Sequence, residues 1–180
     1  MSHKPQAEIL GVGCLCSLGL NFSECVQGLF APEQHWAVPQ PPRRFTTQHP
    51  RTYPVFELDS ATLDSLPGGD NLLLTARLAL AAGLEALEDA GLNAPDSLKE
   101  TRVGVCVGTS VGSAMNNEAF YRDYRLGSPE APESPDMAAI RRYLRSNPAE
   151  VLACEVKRLG ALPGPVQTVC NACSSGADAI

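Results

Sequence analysis

No apolar run in this chain is long enough to cross a bilayer. The uncharged stretch Ile9–Ser23 is only 15 residues and is broken by Gly11, Gly13, Gly19 and Asn21, and the longer Leu159–Ala177 is broken by Gly160, Pro163, Gly164 and Pro165, whereas a spanning helix needs about 20 apolar residues. Positive charge is scarce too. Fourteen Lys and Arg against 20 Asp and Glu give −6 and a pI near 5.0, which excludes a chain held to nucleic acid by phosphate contacts and leaves only local basic clusters. The seven cysteines are odd in number and lack the dense, regular spacing of a small secreted disulfide scaffold, so a reducing, cytoplasmic interior is expected, with most thiols serving as small hydrophobes. There is no short repeat. The 15 prolines gather in loop-like stretches, which excludes collagen-like and solenoid architectures.

Lys4 followed by an apolar run, with Gly13-Cys14 beyond it, raises the question of a lipoprotein leader. Pro5 and Glu8 interrupt that leader, and Lys4 is its only firm positive charge. The same residues read better as a strand and a turn.

What is present is a composition that folds. Hydrophobic residues at 44% and charged residues at 19% support a packed core. A length of 180 residues suits one domain or one half of a larger fold. Residues 8–13 form a short apolar run ending in glycine and predict a buried strand. Phe22–Phe30 predicts a short helix capped by Asn21 or Ser23. Residues 31–69, with Pro32, Pro39, Pro41, Pro42, Pro50, Pro54 and Pro67, predict a long surface excursion, because proline fixes φ and removes a donor.

Leu73, Ala76, Leu80, Leu84 and Leu87 recur at helical spacing, predicting a helix over 71–90 with Asp70 as cap and Gly91 as stop. The Ala76, Ala79, Ala81, Ala82, Gly83 face permits close approach of a neighbour. Arg102–Gly108 predicts a strand covered on both faces, followed by a glycine-containing loop over 109–113. Helices are expected over 116–124 and 136–145, separated by a proline-bearing loop over 127–136. A further helix opens at Asn147-Pro148 and ends at Gly160. Gly164–Val169 predicts a strand, and 170–180 a tight turn into a new helix. Only about two turns follow Cys173, with no terminating glycine, basic last turn or proline, so a fragment is expected.

The chemistry concentrates at that turn. A cysteine at a strand-to-helix junction meets the positive end of the helix dipole and unpaired amides, both of which favour thiolate over thiol. Cys173 has this placement. Backbone N–H groups of such a turn can also stabilise an oxyanion during acyl transfer, and Ala172, Ser174, Ser175 and Gly176 leave room for a thioester.

Four segments together resemble the N-terminal half of the β-ketoacyl-acyl carrier protein synthases of the thiolase superfamily. They are Ile9–Gly13 with Ser17-Leu18-Gly19, where the usual proline after the serine is missing; Leu78–Leu92, closing in EALEDAGL; Arg102–Ser113, with its RVGV strand and glycine-rich loop; and Val169–Gly176, where Asn171 stands in place of the commoner threonine. They occur in the expected order along nearly the whole chain.

The resemblance implies a thiolase-like layered α/β/α/β/α fold, of which residues 1–180 would be a partial N-terminal domain. It also implies a homodimer or related heterodimer, acyl carrier protein as partner, and acyl and malonyl thioesters as substrates in fatty acid or polyketide synthesis. Cys173 would be the nucleophile of a decarboxylative Claisen condensation, its own amide would contribute to the oxyanion hole, and Val111 would border the acyl channel. An ordinary loop-packing valine is the competing reading of Val111. The family's two histidines and lysine for decarboxylation belong to the C-terminal half. His3, His35 and His49 lie in loop-like sequence and are not assigned as the base, so this chain alone is expected to be inactive. Arg141, Arg142, Arg145, Lys157 and Arg158 offer either a steering surface for an acidic carrier or a solvated helix face.

Rival readings are weaker. Cys170-x-x-Cys173 resembles a redox pair or half a zinc site, but a zinc site needs further ligands and Cys14-x-Cys16 is poorly spaced for a closed one. A thioredoxin-like motif belongs early in a small βαβ unit. Gly11, Gly13 and Gly19 miss the dinucleotide spacing G-x-G-x-x-G. No cofactor or metal is expected. A non-catalytic partner subunit, using the fold to dimerise or shape a pocket, is the alternative within the family.

Overall fold

A computed structural model of the protein describes residues 7–32, 38–42, 53–112 and 137–180, with backbone alone for 137–140. The helix expected over 116–124, the loop expected over 127–136 and all three histidines lie outside these residues.

The described elements are α1 (Phe22–Phe30), α2 (Ser60–Ser65), α3 (Leu74–Asp89), β1 (Arg102–Gly108), α4 (Met137–Arg145), α5 (Pro148–Arg158), β2 (Leu162–Val169) and α6 (Ser175–Asp178). Single 3₁₀ turns at Gly69–Asn71 and Ala172–Ser174 precede α3 and α6. β1 and β2 pair in parallel, Arg102 opposite Leu162 and Gly108 opposite Val169, with a register shift between Val103 and Val105. Parallel strands require a crossover, and the chain makes it through residues that include α4 and α5. α5 packs on both strands, and α3 packs on α5.

Between them, Leu98, Leu159 and Ala161 form a buried cluster joined by Leu87, Leu92, Val103 and Val156. Full burial of one such leucine removes enough apolar surface to contribute roughly 1.5–3 kcal/mol. Among the described residues, β1 is covered on one face rather than two: Val103, Val105 and Val107 are half-buried, while Cys106 is exposed. A β-branched run alone does not distinguish these cases.

Local signals set most helix ends. Asn21 caps α1 by accepting from Glu24 N at 2.9 Å, and the Glu24 carboxylate returns to Leu20 N at 2.8 Å, a reciprocal cap of the kind that satisfies orphan N-terminal donors. Asn147 caps α5 by accepting from Ala149 N at 3.0 Å, with Pro148 in the first turn. Gly91 and Gly160, at φ +69° and +93°, end α3 and α5 as read from sequence.

Two further expectations are corrected. Asp70 does not cap α3. The helix begins at Leu74, and its N-cap Leu73 has its N–H held by the buried Ser146 hydroxyl at 2.8 Å, which in turn donates to Arg142 O at 2.6 Å. A residue 73 positions away thus anchors the chain as it enters the helix, whose N-cap makes no side-chain cap hydrogen bond.

The second correction concerns residues 8–13, which form no strand among the described residues. They lie along α3. A Cβ on Gly11 or Gly13 would overlap the carbonyl oxygen of Ala86 or Ala82, so the glycines serve close approach to a helix backbone. α3 then grips the segment with carboxylates: Asp89 Oδ2 accepts from Val12 N at 2.9 Å, and Glu85 Oε2 from Cys14 N at 2.8 Å. Glu85 Oε1 also accepts from Phe22 N at 2.6 Å.

Candidate active site at the bend after β2

Cys173 stands where the sequence places it, between the end of β2 and the start of α6. The bend is tight because Ala172 adopts φ +50°, a left-handed conformation costly for a residue with a Cβ and found where surrounding contacts enforce it. Those contacts are visible. The Ala172 carbonyl accepts from Ser175 Oγ at 2.7 Å and from Ser110 Oγ at 3.2 Å. The buried Ser175 hydroxyl also accepts from Asn171 N at 2.8 Å. It thus closes the turn from inside.

A second layer braces the outside. Asp178 Oδ2 accepts from Asn171 Nδ2 at 2.9 Å and Ser174 Oγ at 3.0 Å, while Ser174 Oγ also approaches Asn171 O at 3.0 Å. The Asn171 bond first, and the Ser174 bond second, hold the Asp178 carboxyl below the ordinary carboxylate range. Asn171, the departure from the usual threonine, is therefore a working member of the turn.

The loop after β1 closes on the same bend. Thr109 N donates to Val169 O at 3.0 Å, continuing the sheet, and Cys170 Sγ donates to Ser110 O at 3.3 Å. Gly112, at φ +58°, folds the loop back with its N–H on Thr109 Oγ1 at 2.9 Å. The structure thus brings the loop carrying Val111, 54% exposed, to the turn carrying the exposed Cys173. Cys170 spends its thiol proton on Ser110, so the two cysteines of the C-x-x-C lead separate lives in this geometry. Of the basic residues, Arg158 is engaged by Glu155 at 2.6 Å, and Arg142 donates to Leu72 O at 3.3 Å.

Two features escaped the sequence reading. A cavity of about 830 Å³ lies away from Cys173, between the turn 15–20 and the segments at Gln40 and Val55, with Phe56, Leu58 and Leu78 in its wall. Beside it, Cys14, Cys16 and Cys25 bring their sulfurs within 4.8 Å of one another. Spacing along the chain hides this trio, because Cys25 arrives from α1; its place on the inner face of a capped helix was the available signal. The Leu18 N–H, first, and Cys25, second, lower the Cys16 thiol, whereas burial pushes the Cys25 thiol up to about 12.

Compared with known families, residues 6–180 match the beta-ketoacyl synthase, N-terminal domain. The chain belongs to the β-ketoacyl synthase family. Among curated proteins, the actinorhodin polyketide putative beta-ketoacyl synthase 1 of Streptomyces coelicolor is 32% identical over 113 residues, covering 62% of this chain and 23% of that protein. Among solved structures, the ishigamide ketosynthase/chain length factor superposes with a TM-score of 0.64 at 24% identity, over 94% of this chain and 42% of that one. That likeness shows the fold: a thiolase-like layered α/β architecture, here its N-terminal part. The chain spans less than half the length of either relative. Among the described residues, no helix is long and apolar enough to cross a membrane.

Proposed function

We propose that this chain is the nucleophile-bearing part of a β-ketoacyl synthase that joins an acyl thioester to a malonyl thioester, both delivered on acyl carrier protein. The observation that carries the reading is the enforced bend at Ala172, which presents Cys173 at the mouth of a parallel strand beside the Val111 loop. In the proposed reaction the Cys173 thiolate attacks the acyl carbonyl and the carrier thiol leaves. A malonyl unit on a second carrier then loses carbon dioxide, and the resulting carbanion attacks the Cys173 thioester. The cysteine thiolate departs, leaving a β-ketoacyl carrier longer by two carbons. Val111 would border the channel for the acyl chain.

The actinorhodin relative supports a polyketide setting. The acid–base residues for decarboxylation are expected from sequence other than the residues described, so catalysis by this chain alone is not expected. The name of the structural neighbour, which joins a ketosynthase with a chain length factor, favours a second reading as a pairing subunit that shapes the product. Cys173 and its braced turn favour the catalytic role.

The test is to incubate the full-length synthase carrying these residues with acyl-carrier thioester and digest it. An acyl mass on the peptide containing Cys173, absent in Cys173→Ser, is expected. An adduct on Cys170, or none at all, overturns the catalytic reading.

A further inference from the structure

Cys14, Cys16 and Cys25 occupy a C-x-C-x₈-C pattern and lie far along the chain from the proposed nucleophile. Cys16 Sγ and Cys25 Sγ are 3.4 Å apart, and all three sulfurs fall within 4.8 Å of one another. A metal–thiolate bond of about 2.3 Å places sulfurs about 3.8 Å apart in a tetrahedral site and about 4.0 Å apart in a trigonal one. The Cys16–Cys25 separation lies a few tenths of an ångström below these values, and no pair exceeds 4.8 Å.

The backbone holds this triangle before any ligand arrives. Cys16 opens a tight turn closed by Cys16 N to Gly19 O at 3.0 Å and Gly19 N to Cys16 O at 3.2 Å. A Cβ on Gly19 would overlap Glu24 of α1, so the turn rests directly on the helix that supplies Cys25. Glu85 fixes the other two approaches, binding Cys14 N and Phe22 N with its two oxygens. The Leu18 N–H points at Cys16 Sγ at 3.5 Å, an outer contact of the kind that orients ligating groups. Access is graded: Cys25 is buried, Cys14 half-buried and Cys16 exposed, so an ion entering from solvent meets Cys16 first.

We propose that these three cysteines form a binding site for one soft, thiophilic metal ion held by three thiolates, with any fourth position open to solvent. Soft sulfur donors select ions such as Cu(I), Zn(II) and Cd(II) over Mg(II) or Ca(II). Each coordinating thiol releases its proton to solvent, so no oxidant or reductant enters the step. The bound ion would tie the 14–16 segment to α1 beside the 830 Å³ cavity, whose wall includes Cys16. The inference is independent of the proposed condensation.

The experiment titrates the reduced, full-length protein with Cd(II), following sulfur-to-metal charge-transfer absorption, proton release and native mass. One Cd(II) per chain at this site is expected, with release of up to three protons and little response to a similar excess of Mg(II). Cys14→Ser, Cys16→Ser and Cys25→Ser should each weaken binding at least tenfold, whereas Cys170→Ser and Cys173→Ser leave it unchanged. The exposed Cys16→Ser variant, checked for unchanged thermal unfolding, guards against loss through misfolding. Retention of Cd(II) by all three variants, its loss in Cys173→Ser, or no charge-transfer band in the folded parent overturns the site.

Discussion

Gly108 and Ser175 meet so closely that a Cβ on the glycine would overlap the serine carbonyl oxygen and crowd Gly176 N. The last residue of β1 is thereby the floor on which the first turn of α6 rests, directly after the 3₁₀ turn that carries Cys173. Gly108→Ala must displace either the sheet end or the bend. Overpacking of this kind costs about 1–3 kcal/mol. The expected outcome is a lower denaturation midpoint in the full-length protein and a loss of Cys173 acylation larger than the loss of folded protein explains. Unchanged acylation with unchanged stability would show that the contact is easily relieved.

Glu85 performs an architectural task at the other end of the molecule, binding Cys14 N and Phe22 N at once. Hydrogen bonds to a charged acceptor contribute about 1.5–3 kcal/mol each when removal leaves a partner unsatisfied, although these amides are partly open to water and will recover some of that. Glu85→Ala should therefore destabilise the full-length protein by about 2 kcal/mol in denaturant unfolding. It should also release amide-exchange protection at Cys14 and Phe22 while leaving β1 and β2 protected.

These two positions show what the sequence discloses. The strand 102–108, the Asn147-Pro148 helix start, the stops at Gly91 and Gly160, and the cysteine at a strand-to-helix bend follow from local signals, and the structure carries them. Long-range relationships do not follow. Residues 8–13 have the composition of a strand, but α3 offers two carboxylates and a row of small residues, and the segment lies on the helix instead. Asp70 has cap chemistry, but the helix starts only at Leu74, where the Leu73 N–H is held from across the fold by the Ser146 hydroxyl. Cys25 joins Cys14 and Cys16 only once α1 has folded onto the turn. At the bend, Cys173 was legible as a residue type in a motif, while the Ser175 and Asp178 braces were not, since their partners depend on the left-handed Ala172.

The cysteine trio gives an alkaline signature in metal-free protein kept in chelator. The folded Cys25 thiol titrates near 12, above its ordinary value of 9.0. A raised folded value means the native state holds the proton more tightly, so its contribution to stability is complete below pH 9.0 and falls as pH rises toward 12. Cys16 is shifted downward. Its contribution has the opposite sign and is complete by pH 9.0, so a decline above that value belongs to Cys25. Unfolding measured from pH 8 to 11 should show a fall that is absent in Cys25→Ser. At pH 8, a small alkylating reagent should modify Cys16 well before Cys25. Equal rates at the two thiols would refute the assignment.

Asp178 gives the acid counterpart at the candidate active site. Its carboxylate accepts from the Asn171 amide and the Ser174 hydroxyl, and both bonds favour the charged form. The folded value lies below the unfolded one of about 3.9. The brace is therefore at full strength above that pH and is lost as pH falls through the folded value. In the full-length protein, the Asn171 side-chain amide resonances should stay fixed between pH 5 and 8 and move only below about pH 4. Asp178→Ala should give a shifted position at neutral pH that no longer responds to acid. Because Asn171 also hands its backbone N–H to Ser175 at 2.8 Å, loosening this side chain acts directly on the turn that aims Cys173. Asp178→Ala should therefore slow Cys173 acylation at neutral pH, with the global unfolding midpoint changed little. An Asn171 amide that titrates near neutral pH, or acylation untouched by the substitution, would remove Asp178 from the turn's machinery.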